Sequence, residues 1–70
     1  MPSTVIRSFA YRPERRELLI EFTTGRRYLY LGVKEETVAA LRSARAKGPF
    51  FNRHIRGAFP YREVEGAAQS

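Results

Sequence analysis

Two stretches carry residue types that could do chemistry. In RRYLYL, residues 26–31, Arg26 and Arg27 precede Tyr28 and Tyr30, which are two apart. In FFNRHIR, residues 50–56, Phe50 and Asn52 stand among Arg53, His54 and Arg56, with Arg42 and Arg45 shortly upstream. The chemistry that such a mixture supports is non-covalent. Guanidinium groups meet phosphates in a planar, bidentate way and stack on bases. Aromatic rings are platforms for the bases of a single strand, each stack contributing roughly 1–3 kcal/mol. The candidate nucleic-acid-binding residues are therefore Arg26, Arg27, Tyr28, Tyr30, Arg42, Arg45, Phe50, Asn52, Arg53 and Arg56.

Each of them also has a plainer reading. Tyr28 and Tyr30 can pack beneath helices with only their hydroxyls at the rim. Phe51 and Ile55 are four apart, as on one face of a helix, so the alternation of aromatics and arginines can be ordinary helical periodicity. Asn52 can make a local backbone hydrogen bond, and His54 can be a lone surface histidine among basic neighbours. The arginines can form a solvated face.

Covalent chemistry is not expected. The chain has no cysteine, no aspartate and one histidine. Ser3, Ser8, Ser43 and Ser70 lack a base with an orienting acid, which an activated hydroxyl needs. No glycine-rich phosphate loop is present. No set of carboxylates clusters as a catalytic metal would require. The expectation is a non-enzyme with no cofactor and no metal.

Composition narrows the setting. Thirteen basic residues against seven acidic ones give a net charge of +6, and arginine outnumbers lysine eleven to two. That balance attracts polyanions at long range. Codon bias in a GC-rich genome competes as the source of the arginine excess, but explains the net charge less well. Seventy residues are read as one domain, spanning 1–70, ordered from about residue 4 to 64, with a frayed tail at 66–70. So small a domain buries only roughly 60% of its unfolded surface, so nearly every large apolar residue is needed in the core. No signal peptide is visible. No apolar run approaches the roughly 20 residues of a membrane span. A soluble cytoplasmic protein without a membrane partner is expected.

The elements that must position these residues follow from alternation and turn chemistry. Residues 4–11 and 17–22 read as strands joined through Pro13, which presets a turn. Phe22-Thr23-Thr24-Gly25-Arg26 reads as a three-residue hairpin loop with Gly25 at positive φ, a G1 bulge. In that register Leu18 faces Tyr30 and Ile20 faces Tyr28, which sets both tyrosines on the aliphatic face. A two- or four-residue loop would turn them to the other face. Residues 26–31 make the third strand. Glu35 and Glu36 suit the positive end of a helix over about 35–46. Gly48 stops it, and Pro49 opens a second helix over about 49–56. Residues 58–64 run extended, because the residue before Pro60 is biased away from helix. There Tyr61 and Val64 either pack back on the sheet or add a short strand. The expected fold is α+β: a three-stranded antiparallel β-meander followed by two short α-helices packed on one sheet face.

The ordered set Tyr11, Leu18-x-Ile20-x-Phe22, Gly25-x-x-Tyr28-x-Tyr30, Val33, Leu41-x-x-Ala44 and Gly48-x-x-Phe51-Asn52-x-x-Ile55-Arg56 resembles the KTSC domain. That family takes its name from a C-terminal extension of some lysyl-tRNA synthetases and also includes small free-standing bacterial proteins. The resemblance covers about residues 4–64. It departs at Lys34, where relatives usually have proline, at Arg12, where an acidic or amide residue is common, and at Ala46, often serine. Its synthetase setting implies RNA as the partner, by association and not by mechanism.

Two functions remain open on the sequence. One is an RNA-binding module using the arginines with Tyr28, Tyr30 or Phe50. The other is a module for protein interaction or self-association. A three-stranded sheet leaves edges that can pair with another chain, although Arg7 and Arg26 discourage it. Leu19, Leu29 and Leu31 would also form an apolar patch if the helices cover one side only.

Overall fold

The computed structural model describes residues 6–64. The expected opening of the first strand at residue 4 and the expected tail at 66–70 lie outside them. The described elements are β1 (Ile6–Arg12), β2 (Glu17–Phe22), β3 (Arg27–Leu31), α1 (Glu35–Ser43), α2 (Lys47–His54) and β4 (Tyr61–Val64). The four strands form one antiparallel sheet in the order β1-β2-β3-β4.

The sheet thus has four strands, not the expected three. After α2 the chain turns at Gly57, whose φ of 82° suits the third position of a turn closed by Ala58 N–H on Ile55 O at 2.9 Å. Phe59 and Pro60 then carry it back along the open edge of β3, where Leu31 N–H donates to Pro60 O at 2.9 Å. Pairing there satisfies β3 backbone groups that a three-stranded sheet would leave to solvent.

The hairpin between β2 and β3 has the expected geometry. Gly25 has a φ of 95°. Its N–H donates to Phe22 O at 2.8 Å, and Phe22 N–H donates to Arg26 O at 2.9 Å. Leu18 pairs with Tyr30 and Ile20 with Tyr28. This register puts Leu18, Ile20, Tyr28 and Tyr30 on one face, which both helices cover. Val38 and Leu41 of α1 and Phe51 and Ile55 of α2 join Leu18, Ile20, Tyr30 and Val33 in one core. The other face carries Leu19, Leu29 and Leu31, all half-buried and none of them part of the core that α1 and α2 complete.

The helix junction differs from expectation. α1 ends at Ser43, because Ala44 turns extended at ψ 137° and its N–H donates to Leu41 O at 3.1 Å. α2 begins at Lys47, so Gly48 and Pro49 lie inside its first turn and Gly48 does not end α1. Proline is tolerated there because first-turn N–H groups have no intrahelical acceptor. The first α2 bond of the long kind runs from Phe50 N–H to Ala46 O at 3.2 Å.

Candidate functional site

β4 builds a surface that the sequence did not announce. Its alternation places Tyr61 opposite Tyr30 and Glu63 opposite Tyr28, on the helix-covered face. At this margin of the sheet the cover thins. Tyr30 is sealed at 3% exposure, whereas Tyr61 is 57% exposed and is the exposed large hydrophobic among the described residues. Tyr61 lies flat on Tyr30, with centroids 5.2 Å apart and planes at 29°. Tyr28 meets it edge-on at 5.6 Å and 81°. Tyr30 and Phe22 in turn stand edge-on to Phe51 of α2, at 5.3 and 5.4 Å. The exposed ring is therefore the outermost member of a packed aromatic column, held in one orientation before any ligand arrives.

Cationic and polar groups attach to the inner members of that column. The Arg26 guanidinium donates to the Tyr28 hydroxyl at 3.3 Å. That bond first, and the Glu63 carboxylate second, hold the Arg26 proton more tightly than usual. Just past α2, Arg56 donates to Asn52 Oδ1 of that helix at 3.4 Å. Burial pushes the Tyr30 hydroxyl up to about 12, helped by Tyr61 and opposed by the nearby positive charge of Arg56. Arg56 is thus close enough to the column to act on it electrostatically.

The expected site residues fall into separate groups. Tyr28 touches Tyr61, Arg26 is bonded to Tyr28, and Arg56, bonded to Asn52, acts on Tyr30. Tyr30 lies beneath Tyr61, so neither of its own ring faces is open to stack a base. Arg27 is on the opposite face of the sheet, 3.8 Å from Glu21, which Arg7 also approaches at 3.9 Å. Arg42 sits over the Phe9 ring of β1, its guanidinium carbon 5.8 Å from the centroid. β1 and β3 are separated by β2, roughly 10 Å at the usual strand spacing. Arg42 and Arg56 therefore attend different parts of the sheet. Phe50 is half-buried and tilted against His54, with centroids 4.5 Å apart. Arg45 and Arg53 are exposed.

Sequence reasoning left Tyr61 out of the candidate residues. The signal was available in YREV, where Tyr61 and Glu63 alternate with Arg62 and Val64, but four residues after a proline are too short to reveal a strand by periodicity alone. Among the described residues, no group of three or more histidine, cysteine or acidic side chains converges on a point where a metal could sit. No helix there is long and apolar enough to cross a membrane.

What this arrangement can do is accept a flat ring on the exposed Tyr61, with the Arg26 and Arg56 guanidinium groups tied to the same aromatic column. Comparison with known proteins adds context. The family model described as the KTSC domain matches residues 2–59. A solved KTSC domain protein from Yersinia pestis superposes with a TM-score of 0.85 at 38% identity, covering 93% of this chain and 92% of that one. An uncharacterized protein of Stutzerimonas stutzeri is 40% identical over 52 residues, 74% of this chain and 73% of its own. A lysine–tRNA ligase of Nostoc punctiforme is 34% identical over 61 residues, and the chain spans only 11% of that enzyme's length.

Proposed function

Because the chain belongs to the KTSC domain family, we propose that it is a small non-catalytic module that binds single-stranded RNA. The observation that carries this reading is Tyr61, an exposed ring fixed by Tyr30 behind it and Tyr28 beside it. Holding a ring in place beforehand lowers the ordering cost of stacking a base on it. Arg26, bonded to Tyr28, and Arg56, whose charge reaches Tyr30, would meet the phosphates beside such a base. The net charge of +6 supplies long-range attraction. The name of the ligase relative places that protein with tRNA, and the proposal extends the same class of partner to this chain.

Titration of fluorescent single-stranded and tRNA-like RNAs at several salt concentrations tests the reading. Neutralising three or four phosphates gives log K a slope against log salt of roughly −2 to −3, at about −0.7 per phosphate on a single strand. Binding no tighter than that of an unrelated protein of equal charge defeats it.

One observation favours a second reading, a module for protein interaction or self-association. The outer sheet face presents Ala10, Leu19, Leu29 and Val64 along a shallow groove bordered by Arg12, Arg15 and Arg62. Sedimentation across a concentration range distinguishes a self-associating chain from a monomer that binds RNA.

A further inference from the structure

We propose that Tyr61 and Glu63 form a one-base site that selects guanine, an inference that rests on the RNA-binding reading above. Tyr61 has only one ring face to offer, since Tyr30 covers the other and Tyr28 closes one edge. The column therefore ends in a place for a single base rather than a continuous track. Glu63 follows two residues later on β4 and pairs across to Tyr28, so its side chain leaves the sheet on the same face. Two residues of strand place it roughly 7 Å along from Tyr61, which is about where the far edge of a base lying on that ring would reach.

A carboxylate is an odd neighbour for a phosphate-binding surface. It repels the backbone and accepts hydrogen bonds without donating any. Its natural counterpart is a base edge with donors side by side. Guanine offers N1–H and the N2 amino group in that arrangement, and the two carboxylate oxygens can accept both, as they do from a guanidinium fork. Adenine and cytosine present one amino group beside a ring nitrogen whose lone pair faces the carboxylate unfavourably. Uracil presents one imino N–H between two carbonyl oxygens. Guanine also has the larger ring area to lay on Tyr61. Arg26, tethered to the Tyr28 hydroxyl and drawn electrostatically to Glu63, offsets the carboxylate's repulsion of the flanking phosphates.

The test uses the full chain and four labelled eleven-nucleotide RNAs, uridine throughout except for G, A, C or U at the central position. The G-centred strand is expected to bind roughly tenfold more tightly than the all-uridine strand, the range expected of one bidentate base contact. E63Q, which offers one acceptor and one donor where the carboxylate offers two acceptors, should bring the G-centred strand down to the A-centred one, whose base has a similar ring area. Y61A should weaken all four strands. Glu63 is exposed on an edge strand, and circular dichroism of E63Q checks that the fold is kept. Equal binding of all four RNAs with the salt dependence intact overturns the guanine site and leaves RNA binding standing. A preference for guanine over adenine that survives in E63Q also overturns it. Binding no better than an equally basic control overturns both proposals.

Discussion

The Tyr11 hydroxyl donates a hydrogen bond of 2.6 Å to the Val33 carbonyl, 22 residues further along the chain. The N–H of the same Val33 donates to Arg16 O at 3.0 Å. Both backbone polar groups of a buried residue at the exit from β3 are thus satisfied by the β1–β2 hairpin. This fixes where the chain leaves the sheet and where α1 starts, and with it the seat of both helices on the core. Replacing Tyr11 with phenylalanine keeps the ring but leaves a carbonyl beside a buried valine without its donor. The expected cost is about 1 kcal/mol, read as a lower midpoint in urea at unchanged slope. An unchanged midpoint would mean that water takes over the bond and that the junction does not depend on it.

Arg16 makes the same hairpin slightly strained. Its φ is 53°, and it is the non-glycine residue at positive φ among those described. An L side chain in the left-handed region costs roughly 1–2 kcal/mol. Glycine would relieve that cost while returning about 0.4–1 kcal/mol of chain entropy to the unfolded state. Arg16→Gly is therefore expected to gain on the order of 0.5 kcal/mol, a melting point some degrees higher for a domain of this size. Arg16→Val should move it the other way, because a β-branched residue tolerates positive φ worst. A lower melting point for the glycine variant would show that the Arg16 side chain itself contributes to stability.

How far these features were legible in the sequence depends on the range of the signal. The G1 hairpin was legible because Gly25 is a local marker and the register it sets decides which face Tyr28 and Tyr30 occupy. The core positions Leu18, Ile20, Val38, Leu41, Phe51 and Ile55 followed from period and size. The fourth strand was not fixed, since β4 is defined by what it pairs with, the open edge of β3 some thirty residues earlier, and only folding brings the two together. Tyr61 was missed for the same reason. Tyr28 and Tyr30 look equivalent in YLY, but Tyr61 covers Tyr30 and takes over as the exposed ring. Where the helix arginines point was not legible either: Arg42 lies over Phe9 of β1, whereas Arg56 acts on Tyr30 of β3.

Tyr30 gives the fold a predictable alkaline limit. Burial, which penalises the phenolate, pushes its hydroxyl up to about 12, against about 10 for an unfolded tyrosine. The folded value is the higher one. The stability associated with keeping Tyr30 neutral is therefore complete below pH 10 and is lost as pH rises from 10 through 12. That gap corresponds to on the order of 2–3 kcal/mol, a large share of the stability of a small domain. Denaturant midpoints should fall over this window, and ultraviolet titration should show one tyrosine ionising last, coincident with unfolding. Tyr30→Phe should remove the late phase. If the last tyrosine titrates near pH 10 with the fold intact, the ring is open to solvent and the column is looser than described.

The separation of the arginines makes a sharper prediction about charge. If +6 alone drove RNA binding, any single arginine would count equally, and Arg42→Ala would weaken binding as much as Arg56→Ala. In the arrangement around Tyr61 they are not equal. Arg56 lies beside the aromatic column, paired with Asn52, while Arg42 is engaged with Phe9 at the far strand. Arg56→Ala should reduce the magnitude of the salt slope by about 0.7, one phosphate's worth on a single strand. Arg26→Ala should do the same. Arg42→Ala should leave the slope within error and instead cost about 0.5–1 kcal/mol of stability, the usual worth of an exposed cation on a ring. Equal slope changes for all three variants would show a diffuse electrostatic surface with no site at Tyr61. A change for Arg42 alone would move the interface to the β1 side of the sheet, where Phe9 and not Tyr61 would be the ring to examine.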